Sequence, residues 1–355
     1  MKRITNHQVS QGRRRARTAA ILSLAATAMC LSFYQPRLSA DNILFANETA
    51  NGNLFGHFDQ NATNTTTAPP GGTYLLGPIA PEACVPTATV NSFNFLMRNY
   101  GLPPLYNLGN PYGSIKSLAS AGYMNTQPPG TPFPPGPGTT FNNAYLGKEK
   151  YLQNNFPGGI TSNTGQKYAI QTVGQAAPGV GTQQNPNGPW IGGVTNQIPT
   201  ATFLQQQLQA GEDVELFFQW TDSTGKPTGG GHCVTLTGIN YDVTTNGGAN
   251  SSISFVDPTN SVGGSITYGT GDAPDLTSLS LEKLANTNPN NPGYLLFGYK
   301  GGASLVPADD NLAGAGYGVI AGVLAESPVP IPEPATVALL AVGGLGLLMR
   351  RRKAA

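Results

Sequence analysis

Ala83-Cys84-Val85-Pro86-Thr87-Ala88-Thr89-Val90-Asn91-Ser92-Phe93-Asn94-Phe95-Leu96-Met97-Arg98-Asn99-Tyr100-Gly101 is the stretch on which the reading of this chain turns. Val85, Ala88, Phe93, Phe95, Leu96 and Met97 form a broad apolar face, which predicts a helix over Val85–Tyr100. Pro86 falls in the first turn, where a missing N–H leaves nothing unpaired. Gly101 stops the helix, and Pro103-Pro104 prevents its continuation. Cys84 stands at the very start, where unpaired backbone N–H groups and the helix dipole favour a thiolate.

Outward from this helix the pattern changes twice. Residues 41–80 are rich in Asn, Thr and Gly and read as an extended arm or early strands. A short helix is expected at Ser114–Ala121. Residues 126–200, with Pro/Gly-rich Gln127–Gly138 and the Gly/Gln/Asn/Pro-rich Gly174–Gly193, read as a loop-rich insertion. Regularity returns with a helix at Thr202–Ala210, stopped by Gly211. Strands are expected at Val214–Trp220, His232–Ile239, Ser252–Asp257, Ser265–Gly269, Tyr294–Tyr299 and Tyr317–Leu324, with a short helix at Leu279–Ala285. Helices first and an antiparallel sheet afterwards make an α+β plan rather than alternating βαβ units.

The ends read as addresses. Residues 1–40 hold seven Lys and Arg and no acid, with a basic segment to Arg17, an apolar segment Thr18–Leu31 and small residues Leu38-Ser39-Ala40 before Asp41. That is a cleaved secretory leader; the apolar run is short for the uncleaved anchor helix that is its rival. Cys30 follows Met29, which is too large for lipoprotein processing, and goes with the leader. The other end runs Pro332-Glu333-Pro334, a charge-free apolar stretch Ala335–Met349 and Arg350-Arg351-Arg352-Lys353. A short transmembrane segment held from inside by the basic cluster is expected there.

Setting those ends aside leaves eight Lys and Arg against seventeen Asp and Glu in residues 41–327, a net charge of −9. A body so acidic is a poor nucleic-acid binder, since phosphate contacts need clustered cations. Charged residues are only 10% of the chain, against about 25% in average soluble proteins, yet 39% hydrophobic content supports a core.

Few side chains in this body can carry reactions. It has two cysteines, Cys84 and Cys233, and two histidines, His57 and His232. His232 follows Gly229-Gly230-Gly231 and opens a strand; Asp257 ends the next one, before Pro258. Adjacent antiparallel strands can set Asp257 beside His232, fixing the ring's tautomer so that it takes the Cys84 proton. No metal ligand set and no cofactor are expected: no cluster has zinc spacing, and the glycine run lacks the Lys-Ser/Thr of a phosphate loop. His57 reads as a loop residue, and Trp190 and Trp220 as packing residues. A Cys84–Cys233 disulfide is the open alternative for the thiols, although alternation sends Cys233 to the opposite side if His232 faces Cys84.

Two resemblances attach to these residues. The Pro-Glu-Pro, apolar run and Arg cluster resemble the PEP-CTERM sorting signal of Gram-negative bacteria that secrete extracellular polysaccharide. It implies an exosortase-type sorting enzyme acting at Pro332-Glu333-Pro334, signal peptidase at the other end, and membrane contact through the C-terminal segment before processing. The implied destination, after export through the inner membrane, is the cell surface or extracellular matrix. Ala83-Cys84-Val85-Pro86-Thr87-Ala88 with Asn91–Leu96, Leu208–Val214, Gly231-His232-Cys233-Val234 with Thr237-Gly238, and Val256-Asp257-Pro258 resemble papain-like cysteine peptidases that process bacteriocin leaders. That resemblance covers under a quarter of the chain. It implies a two-lobe papain-like fold over 41–327, with a helical lobe carrying Cys84, a sheet lobe carrying His232 and Asp257, and a peptide substrate between them. Two positions depart from the family: no Gln lies between Asn61 and Ala83, and Val85 replaces the usual Gly. Gln60 can supply the missing oxyanion donor only if a long loop folds back. A catalytically inactive structural or binding protein of the matrix on the same fold, and an acyl- or amide-transferring enzyme with the same triad, stay open at this point.

Overall fold

The computed structural model describes residues 42–44, 55–56, 58–62, 74–132, 136–180, 191–221, 227–240, 251–258, 276–283, 295–298 and 317–331. They fall within one compact unit, Asp41–Ala355. The leader, His57, Trp190, the strand expected at Ser265–Gly269 and the tail from Pro332 onward lie outside the described residues.

Among the described residues, four α-helices begin and end where local chemistry dictates. The first, α1 (Cys84–Tyr100), follows a 3-10 turn at Gly77–Glu82 and closes on Gly101, whose φ of 63° is left-handed and whose N–H reaches Met97 O. α2 (Pro111–Ala119) starts with Pro111 behind Asn110, whose side chain accepts from the Gly113 N–H. Thr140 caps α3 (Phe141–Asn155) through the Asn143 N–H, and Thr200 caps α4 (Ala201–Gln209) through the Phe203 N–H.

The strands are β1 (Asn42–Leu44), β2 (Ile160–Thr161), β3 (Lys167–Ala176), β4 (Ile191–Asn196), β5 (Asp213–Thr221), β6 (Pro227–Asn240), β7 (Ser251–Val256), β8 (Leu276–Lys283), β9 (Leu295–Gly298) and β10 (Tyr317–Pro330). Neighbours from β5 to β10 pair in sequence, and β10 returns to pair with β5, so these six close into a ring. β1 adds to β6, and β3 to β10. The pairing is antiparallel except between β3 and β4, which run parallel. Mixed helix and antiparallel sheet make the fold α+β.

Three expectations need correction. Residues 126–200 are not a loop-rich insertion: they hold α3 and β2–β4, and β3 pairs with β10 from Gly322↔Ala176 to Pro330↔Tyr168. Their Asn, Gln and Gly content hid a helix and strands whose burial is supplied by the rest of the chain. Of the helix expected at Leu279–Ala285, the described residues Leu279–Lys283 are strand instead and lie in β8, where Leu279 and Leu281 alternate with Ser278 and Ser280 and pair with β7. The sheet also contains the parallel β3–β4 pair, whereas the sequence led us to expect antiparallel strands alone.

The sheet is apolar on both faces. Val214, Leu216, Phe218, Val234, Leu236, Ile253, Phe255, Ile320 and Val323 bury one face with α4. Phe217, Cys233, Val256 and Leu324 bury the other against α1, α2 and α3. Thr235 Oγ1 donates to Ala88 O at 3.2 Å and ties β6 to α1. From that tie, Cys84 lies one helical turn back, about 6 Å, and His232 three strand residues back, about 10 Å. One link thus brings the start of the helix and the start of the strand's core together.

Candidate functional site

His232 and Asp257 meet. His232 Nε2 stands 2.7 Å from Asp257 Oδ1, with side chains 8% and 12% exposed. The contact follows from register: Thr235 pairs with Val256, so the chain just past β7 runs alongside β6 toward His232. Gly231 makes room, because a Cβ there would lie 2.6 Å from Phe218 O on β5. The imidazole is held by Phe218 edge-on at 5.4 Å and by Trp220, nearly parallel, at 6.4 Å. Trp220 is a packing residue in the α4-side core, 3% exposed, and at the same time one wall of the histidine.

Cys84 is a half-buried free thiol at the first residue of α1. Cys84 is one of the groups that raise the His232 ring, after Asp257. Burial disfavours the charged ring, but the Asp257 charge and hydrogen bond, with the contribution of Cys84, outweigh it and push His232 up to about 10. Nε2 is committed to Asp257, and Nδ1 is the ring's other nitrogen.

Cys233 is a second free thiol, fully buried. Alternation along β6 holds, since Cys233 packs with Phe217 while His232 packs with Phe218. The sequence-based corollary fails, however: Cys233 lies in the core beneath α1, the same core that Cys84 borders, and not on a face turned away from it. Burial, then the Glu215 and Cys84 charges, push the Cys233 thiol well up, which keeps it protonated and unreactive.

The arm before the helix folds back onto this site. Gly56 N–H donates to Asn91 O at 2.9 Å, and Phe58 N–H to Asn91 Oδ1 at 2.8 Å. Gln60 N–H then donates to Pro258 O at 2.7 Å, and Gln60 Nε2 to Pro81 O at 3.0 Å. Gln60 is therefore wedged, 2% exposed, between the residue after Asp257 and the turn before Cys84. The loop return on which Gln60's usefulness depends is present. Sequence reading missed Asn91 as the clasp; the available signal was an amide set within the apolar run of α1, which the fold buries completely.

Among the described residues no group of His, Cys, Asp and Glu is arranged to hold a metal ion. Nor is any described helix long and apolar enough to cross a membrane, and the expected C-terminal segment lies beyond Ile331.

The family description of a PEP-CTERM protein-sorting motif matches residues 330–353. No curated protein and no solved structure matches the chain. What is identified is thus the address: the chain ends in a motif read by exosortases, one that marks proteins for export and surface sorting in Gram-negative bacteria.

Proposed function

We propose that the exported body, residues 41–327, is a papain-like cysteine peptidase domain that hydrolyses peptide bonds at the cell surface. The observation that carries this reading is the 2.7 Å His232–Asp257 pair on the strand that is tied to the helix headed by the free thiol Cys84. Asp257 accepts from Nε2–H and fixes the imidazole so that Nδ1 takes the Cys84 proton. The sulfur attacks the scissile carbonyl, His232 protonates the departing amine, and water then cleaves the thioester with His232 as base. The oxyanion that forms is stabilised by the Cys84 backbone N–H at the helix start and by Gln60, whose amide has a second N–H beyond the one given to Pro81.

The test is alkylation of the full chain with iodoacetamide, followed by peptide mapping, alongside hydrolysis of fluorescein-labelled casein. Rapid modification of Cys84 but not Cys233, slowed at least tenfold by His232→Ala, together with casein hydrolysis abolished by Cys84→Ser, is the expected result. A Cys84 no faster than a free thiol would remove the peptidase and leave the matrix-protein alternative.

A further inference from the structure

Lys148 is the least expected side chain in the molecule. It sits in the middle of α3, 1% exposed, under the helix-side face of the sheet. Three carboxylates surround its ammonium: Glu326 Oε2 at 2.5 Å, Glu215 Oε1 at 3.1 Å and Asp213 Oδ2 at 3.9 Å. Ser92 Oγ bonds both Lys148 Nζ and Asp213, Thr172 Oγ1 donates to Glu326 Oε1, and the Phe93 ring lies 5.4 Å from Nζ.

Two features separate this cluster from an ordinary ion pair. Three acids face one cation, so full ionisation would bury two uncompensated negative charges. Burial accordingly raises Asp213 to about 8 and raises Glu326, against the opposing pull of Lys148. Lys148 Nζ also stands close to Glu326 Oε2, yet that oxygen has no partner in hydrogen-bond geometry. Glu215, by contrast, accepts a regular hydrogen bond from Nζ.

We propose that Lys148 and Glu326 condense to an intramolecular isopeptide bond that welds α3 to β10, with Glu215 as the proton relay. Glu215 takes one proton from the ammonium, and the freed amine attacks Glu326 Cδ, whose Oε1 is polarised by Thr172 Oγ1. The tetrahedral adduct loses an oxygen as water, which carries away two of the three ammonium protons; one N–H stays on the amide. Ammonium plus carboxylate becomes amide plus water, nothing is oxidised or reduced, and no co-reactant is required. Exclusion of solvent and fixed apposition of the two groups favour the amide over its hydrolysis.

The measurement is tryptic mapping of the folded, purified full chain by tandem mass spectrometry. The expected product is a branched peptide in which Ser117–Lys150, uncut at Lys148, is joined to the peptide starting at Gly301, lighter than the two together by one water. Lys148→Arg and Glu326→Ala abolish it, and Glu215→Gln lowers its yield at least tenfold. Unmodified peptides ending at Lys148, with no branched species, would overturn the bond; a full yield in Glu215→Gln would overturn the relay. The outcome is independent of the peptidase reading, because Cys84 takes no part.

Discussion

Two ionic clusters sit on neighbouring strands of one sheet, and they differ in access. The His232–Asp257 pair lies where β6 and β7 meet the start of α1, with its side chains 8% and 12% exposed and a half-buried thiol alongside. The Lys148 cluster is sealed between α3 and the sheet, where the side chains of Lys148, Asp213, Glu215 and Glu326 are at most 3% exposed. The chemistry of charge and proton is similar in both. An ionic group at the rim can serve a visiting molecule, whereas one in the dry interior can act only on its own neighbours. Exposure, more than residue type, therefore divides a candidate catalytic site from a structural one.

The sharpest way to break this comparison is to remove the buried cation. Lys148→Ala removes the one amine that faces Asp213, Glu215 and Glu326, together with any link it has made to Glu326, and should lower stability by about 3–5 kcal/mol, read from urea unfolding. Cys84→Ala, at the rim, should leave the unfolding midpoint unchanged within error. Next in size, Gln60→Ala should reduce kcat for casein hydrolysis by roughly 10²–10³ with the fold intact by circular dichroism. An unaltered kcat would remove Gln60 from the oxyanion site.

A further effect is a pH dependence of stability. His232 titrates at about 10 in the fold against 6.5 for the free ring, so its contribution is complete below 6.5 and is lost as pH rises through about 10. Unfolding of wild type and His232→Ala should accordingly diverge below 6.5 and converge above about 10. A constant gap across that range would mean that the ring's charge is not what stabilises the pair.

Local signals were legible where one residue decides a boundary. Pro86 and Gly101 bounded α1, and the alternation in His232–Ile239 marked β6. The pairing of His232 with Asp257 was also inferable, because it needs only adjacent strands. Non-local compensation was not legible. In α3, Phe141, Ala144, Tyr145, Tyr151 and Leu152 do follow helical spacing, with Thr140 as cap. A charged Lys148 in the middle of that stripe reads as solvent-facing unless the acids of β5 and β10 are known to lie opposite. The same holds for Gln60: its place depends on Asn91, thirty-one positions later in the chain. In β8, Leu279 and Leu281 alternate as in a strand, but Glu282-Lys283 favour helix by propensity, and pairing with β7 prevailed.

The seam between fold and sorting tail has no slack. β10 is bonded to β3 as far as Pro330↔Tyr168, and Ile331 N–H still reaches Lys167 O at 2.8 Å. The next residue is Pro332, the first of the Pro-Glu-Pro. The motif thus follows directly, in sequence, on the last described rung of the sheet. Tension on a protein held by that end would enter along β10, loading its rungs to β3 and β5 together in shear instead of peeling them one by one. Pulled in that direction, the sheet must give up many backbone hydrogen bonds at once.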